Sequence, residues 1–221
     1  MSRDGASNQL TEHAEALTGG ADLGAVVQLL LSECDTDGLA RLLATGTGDI
    51  ARAAAVCLGL QGSLRDCRAL VSALRAEDPE LVQTAENSLW LIWMRAGSAA
   101  GNQQLVTAIE RIRDEDYLAA LVVLDELSTC EPDFAEAHHQ RGIVLFFLER
   151  LAAASTAFRQ ALRRNQYHYL AAVNLGHVYV ERGNYKRALF HYRNALRIHP
   201  QLDEIPEVVQ RLELVAHKRS E

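Results

Sequence analysis

The second half of this chain repeats itself at a spacing of 34 residues, and that register restricts its fold more than any other feature. Ala120, Ala154 and Ala188 fall in one column, and Tyr117, Leu151 and Tyr185 in another. Leu124, Phe158 and Tyr192 form a third, followed by Leu127, Ala161 and Ala195. Ala108, Gly142 and Gly176 keep one position small, and Pro132, Gln166 and Pro200 close each unit. A period of this length marks a supersecondary unit that cannot bury its apolar face alone. Copies must therefore stack into a continuous core.

Each unit is expected to be a helical hairpin. Only 6% of residues are aromatic, Ala and Leu are abundant, and no alternating run of strand type occurs. The first half carries a weaker period near 31, with Ala54 and Ala85, Leu58 and Leu89, and Leu60 and Leu91 in register. It reads as helix pairs over 22–33 with 38–44, 49–60 with 64–75, and 78–95. Asp49 is the expected N-cap of the third of these helices and Gly62 its terminator. After Pro200, the stretch DEIPEVVQRLELVAHK predicts a covering helix with Asp203 as N-cap and Pro206 in its first turn. Val208, Leu212, Val215 and Ala216 are its expected apolar stripe.

The stretch NLGHVYVERGNYKRALFHYRNALRIHP, Asn174 to Pro200, resembles a tetratricopeptide repeat with nearly every signature position filled. Gly176 and Ala188 suit the close approach of its two antiparallel helices, and Tyr179, Tyr185 and Tyr192 surround that contact. Pro200 ends the second helix. The preceding unit keeps Gly142, Ala154, Phe158 and Ala161. Gln104, His138 and Ala172 stand where the family has tryptophan, and Arg111 replaces a large apolar residue. The stretch GDIARAAAVCLGLQG resembles a degenerate HEAT-like repeat. These resemblances imply an all-α, right-handed helical-repeat solenoid. The expected organisation is a polar, disordered tail over 1–20 with Gly19-Gly20 as hinge, then HEAT-like hairpins over 21–100. Three tetratricopeptide units follow (101–134, 135–168 and 169–202), and a capping helix over 203–221.

The family's first helices line a concave groove, and a partner segment would bind there by inserting apolar anchors. Carried over residue by residue, the resemblance places Leu105, Ile109 and Ile112 on that face from the first unit. The second unit supplies His139, Ile143, Phe146 and Phe147, and the third Leu170, Val173, His177 and Val180. The partner-binding set is Ile109, His139, Ile143, Phe146, Phe147, Leu170, Val173, His177 and Val180. Packing between neighbouring repeats is the alternative for several of these. The carboxylate clamp of chaperone-binding members is not expected, because Leu105, Ile109, Gln140, Leu170 and Asn174 hold the equivalent places.

The resulting expectation is a non-catalytic scaffold or adaptor without cofactor, binding a protein or peptide. One alternative is self-association between the acidic stretch 110–136, with nine acids, and the basic stretch 159–197, with eight bases and Glu181. Another is a bilin-lyase-like enzyme, since HEAT-like repeats occur in such lyases. A net charge of −7 argues against a broad grip on nucleic acid or an anionic membrane. Arg159, Arg163, Arg193 and Arg197 lie on second helices without interleaved stacking aromatics. Cys34, Cys57, Cys67 and Cys130 form no CxxC pair. The polar opening Met1–Leu17 is not of signal type, so a reducing cytoplasmic location is expected. The eight histidines show no HxxxH pair, and structural or solvated roles are expected rather than metal binding. Trp90 and Trp93 are expected to join the two repeat types, with a docking site as the alternative. Such a Trp-rich helix preceding repeats points to a bacterial source.

Overall fold

The computed structural model describes residues 23–218, with side chains to Val215. The expected tail over 1–20, its glycine hinge and the side chain of Ala216 lie outside these residues. The described residues form twelve α-helices and no strand. They divide into two compact units, one ending at Ile92 and the other beginning at Trp93.

In the first unit, α1 (Leu23–Glu33) and α2 (Thr36–Thr45) pack on α3 (Asp49–Gln61), and α4 (Cys67–Ala73) packs on α2. Helix α2 starts earlier than expected because Asp35 caps it, accepting the Gly38 N–H at 2.7 Å. Helix α3 is not capped by Asp49. Gly48, with φ of 50°, takes that position, and Asp49 opens the helix. Gly62 ends it as expected, and a Cβ there would meet the Leu58 carbonyl at 2.5 Å. Helix α4 is shorter than the expected 64–75 stretch. The Asp66 carboxylate accepts the Ser63 N–H at 2.7 Å and holds those residues in a turn. Helix α5 (Pro79–Met94) begins on proline, whose missing N–H costs nothing at a first helical position.

The second unit contains three antiparallel hairpins: α6 (Ala99–Arg113) with α7 (Tyr117–Cys130), α8 (Ala135–Phe147) with α9 (Leu151–Arg164), and α10 (Tyr169–Glu181) with α11 (Tyr185–Ile198). Each hairpin also packs on the next, and the first helices α6, α8 and α10 lie side by side. The 34-residue columns become contacts. A Cβ on Gly142 would sit 2.5 Å from the Phe158 ring, and one on Gly176 would sit 2.5 Å from the Tyr192 ring. The turns repeat as well. Glu115, Glu149 and Gly183 have φ of 59°, 58° and 68°. The next residue in each turn donates its N–H back to Arg111, Leu145 or Tyr179 at 2.8–2.9 Å, a Schellman closure.

Helix α12 (Ile205–Lys218) covers α11, but with a different face from the one expected. It buries Ile205 and Val209, while Val215 is exposed. The chain enters this helix through Glu204 at φ of 59°.

Candidate functional site

The site grows from the shared face of α8 and α10. Small residues Gly142 and Gly176 bring α9 and α11 close behind these helices, so larger side chains on the opposite side line a recess. Ile143, Phe146, Phe147, Phe158, Asn174 and His177 enclose a cavity of about 240 Å³. Phe147 lies stacked on Tyr117 of α7, with centroids 4.9 Å apart, yet remains 55% exposed. Phe146 meets it edge-on at 6.3 Å. His177 leans its edge against Tyr192 at 5.5 Å. Burial pushes the His177 imidazole below its ordinary pKa, against the opposing pull of Glu181.

Four of the sequence-expected contacts therefore meet at one recess: Ile143, Phe146, Phe147 and His177. Ile109, Leu170 and Val180 are part-exposed and do not line it. His139 and Val173 are buried, which corrects their assignment as groove contacts. His139 is turned toward Asn174 and His168. Asn174 and Phe158 belong to the site but were not expected there. Phe158 reads as core because its column is aromatic or leucine throughout. Asn174 and Gln140 are the two polar residues at the equivalent clamp positions, and of the two Asn174 lines the recess.

Directly behind Asn174 lies a buried network. The Glu136 carboxylate accepts from His139 Nδ1 at 3.0 Å, from His168 Nε2 at 2.9 Å and from Gln140 Nε2 at 2.7 Å. His168 Nδ1 in turn accepts the Ala171 N–H at 3.2 Å, capping α10. Asn174 Nδ2 donates to His139 Nε2 at 3.0 Å. Burial alone would raise the Glu136 pKa. The His139 and His168 imidazoles, which donate to it, outweigh that and hold the carboxyl well below the usual range. Burial pushes His168 the other way, downward. The ligand atoms of Glu136, His139 and His168 lie within 4.8 Å of one another, the spacing of a metal-binding group. The tautomer argues for hydrogen bonding instead. His168 uses its Nδ1 lone pair on the Ala171 N–H, so Nε2 carries the proton and donates. Glu136 and His139 stand three apart on one helix face, so this carboxylate–imidazole pair is local in the sequence.

Trp93 is buried, stacked on His168 at 4.3 Å and edge-on to Tyr169 at 5.5 Å. It therefore packs against the start of α10. Trp90 is exposed. Among the described residues, no helix is long and apolar enough to cross a membrane.

Two family models described as tetratricopeptide repeat match the chain, at residues 135–168 and 169–202. A TPR repeat-containing protein of Rhizobium etli is 27% identical over 132 residues, covering 59% of this chain and 65% of that protein. Anaphase-promoting complex subunit 3 of Schizosaccharomyces pombe is 32% identical over 85 residues, covering 38% of this chain and 13% of its own length. The chain thus spans less than two thirds of either curated relative. Among solved structures, the first TPR of Spaghetti bound to the HSP90 peptide SRMEEVD is similar, with a TM-score of 0.53 and 15% identity. That match covers 55% of this chain and 96% of the other, and it shows a shared fold. Residues 135–202 thus match two consecutive tetratricopeptide repeats, within a helical fold shared with a solved structure of such repeats.

Proposed function

We propose that the chain is a non-catalytic scaffold that binds a segment of a partner protein at the recess between α8 and α10. The exposure of Phe147 carries this reading. A large apolar ring held rigidly beside an open cavity leaves its hydrophobic gain to be made by a partner. Ile143, Phe146, Phe147, His177 and Asn174 are the contacts. Ile109, Leu170 and Val180 are assigned to the flanks, and His139 and Val173 to support. The Spaghetti repeats, of similar fold, hold a peptide, which favours a peptide-like occupant here. We assign residues 101–134 to a divergent first unit and residues 21–100 to HEAT-like hairpins. All four cysteines are free thiols, in keeping with a reducing cytoplasmic setting.

The test begins with affinity purification and quantitative mass spectrometry to obtain a stoichiometric partner. Phe147→Ala should then cost about 2 kcal/mol of binding energy. His177→Ala should cost less, and Arg163→Ala on α9 should leave binding unchanged. Thermal unfolding is measured in parallel. Equal losses in all three variants, or losses that track stability, would move the site elsewhere.

A specific observation supports a second reading, self-association. Helix α7 exposes Leu118 and Val122 on an acidic helix, and α11 exposes Phe190 among Lys186 and Arg187. Apolar and charged complements thus stand on different hairpins, as a head-to-tail contact needs.

A further inference from the structure

Beside the apolar recess lies a second, shallower hollow that shares Phe146 and Phe147 and is otherwise lined by Glu149, Leu151 and Glu181. Both glutamates are exposed, and neither carboxylate has an ion-pair partner among the described residues. Arg150 and Arg182 follow them in sequence but line neither hollow. The polar wall of the recess has the same sense. Asn174 spends an N–H on His139 and so keeps its carbonyl oxygen as an acceptor for an occupant. Glu136 and His168 fix His139 from behind, so that orientation is built into the core. Among the basic side chains of the unit, Arg159 and Arg163 sit on α9 and Lys186, Arg187 and Arg193 on α11, Arg141 of α8 is paired with Asp125, and none of these lines either hollow.

Resting on the groove reading above, we propose that the occupant is a peptide segment in which a large apolar side chain is flanked by a lysine or arginine. The apolar side chain fills the recess between Phe146, Phe147 and His177. The cation reaches the Glu149 and Glu181 carboxylates. An acidic segment is disfavoured, because it would meet two like charges and an acceptor, and no cation lines either hollow.

A twelve-residue random peptide library displayed on phage is selected on the full chain, and enriched peptides are synthesised for affinity measurements. The expected peptides carry a large apolar residue with Lys or Arg within about three positions. Their binding should be lost in Phe147→Asp. It should fall roughly tenfold in the Glu149→Lys/Glu181→Lys double variant, less in the matching Gln variant, and it should weaken with salt. Circular dichroism checks that each variant is folded. Peptides that depend on Phe147 but are neutral or acidic beside the anchor, or that ignore the charge reversal, would overturn this inference and leave the groove reading standing. If no selected peptide depends on Phe147, both readings fail.

Discussion

Glu115, Glu149 and Gly183 occupy the same left-handed turn position, but only the last is free of a Cβ penalty. A side chain in that region costs about 1–2 kcal/mol, partly offset because glycine gives the unfolded chain more freedom. Glu115→Gly should therefore stabilise by up to about 1 kcal/mol, and Gly183→Ala should destabilise by about 1 kcal/mol. Nothing lies within 4 Å of a Cβ built on Gly183, so steric crowding does not confound the measurement. Glu149→Gly is the informative third variant. It should gain stability in thermal unfolding and lose affinity for a cationic segment, since the strained residue is also a rim carboxylate. Gly176 follows another rule, because its Cβ would stand 2.5 Å from the Tyr192 ring. Gly176→Ala should cost about 1–3 kcal/mol. The equivalent pair in the first hairpin is Ala108 with Leu124, so Tyr192→Leu should recover part of that loss. Full additivity of the two changes would show that the ring is not what the glycine accommodates.

At the scale of the helix, α8 joins two repeats through its buried acid. Glu136→Ala would strand His139 and His168 as buried donors, and it should cost about 3 kcal/mol or more. Acid should act on the same elements. Burial pushes His138 and His168 below their ordinary pKa, and burial with Arg159 and Arg187 takes His191 down to about 4. Below about pH 6.5 the unfolded chain binds protons that the folded chain refuses, so stability must fall as pH falls. The Glu136 contribution, present above its unfolded pKa, is lost lower still. Melting temperature should thus be level above pH 7 and decline from about 6.5 towards 4, with a shallower decline in His191→Asn. A level profile down to pH 4.5 would refute the buried, neutral state of these rings. The hairpins themselves were legible in the sequence because Gly176, Ala188 and Tyr192 meet through a contact that recurs at one spacing. The recess was half legible. Periodicity names the first-helix face that holds Ile143 and Phe147, but it does not say which residues turn into the neighbouring repeat. His139 and Val173 are apolar-face residues by spacing and buried by packing. The partner of His139 was visible three residues away as Glu136, whereas His168 comes from the next unit, and no local pattern announces it.

Across the second unit, surface charge and exposed apolar area divide between hairpins, and this bears on whether copies of the chain meet. On α7, Leu118 and Val122 are 61% and 68% exposed and lie four apart, so they share one face of a helix that also carries Asp125 and Glu126. On α11, Phe190 is 60% exposed, with Lys186 four residues before it and Arg193 three after. Arg193 is already paired with Glu213 at 2.7 Å, and Arg187 lies over the Tyr179 ring at 5.5 Å. Lys186 and the α9 pair Arg159 and Arg163 thus supply most of the available positive charge. A contact between the α7 face of one copy and the α11 face of another uses two different surfaces. It need not close, and it would grow with concentration rather than stop at a dimer. Sedimentation at about 50 mM salt should show mass rising with concentration, and about 500 mM should reverse it as the screening length shortens. Phe190→Asp should abolish the association by placing an acid against an acidic face, and Val122→Lys should do the same from the other side. The double variant restores opposite charges across the contact and should recover part of the association. That recovery separates pairing of these two faces from general stickiness of exposed apolar residues. A monomer at every salt concentration would leave both patches as solvated helix faces and the α8–α10 recess as the sole proposed binding surface.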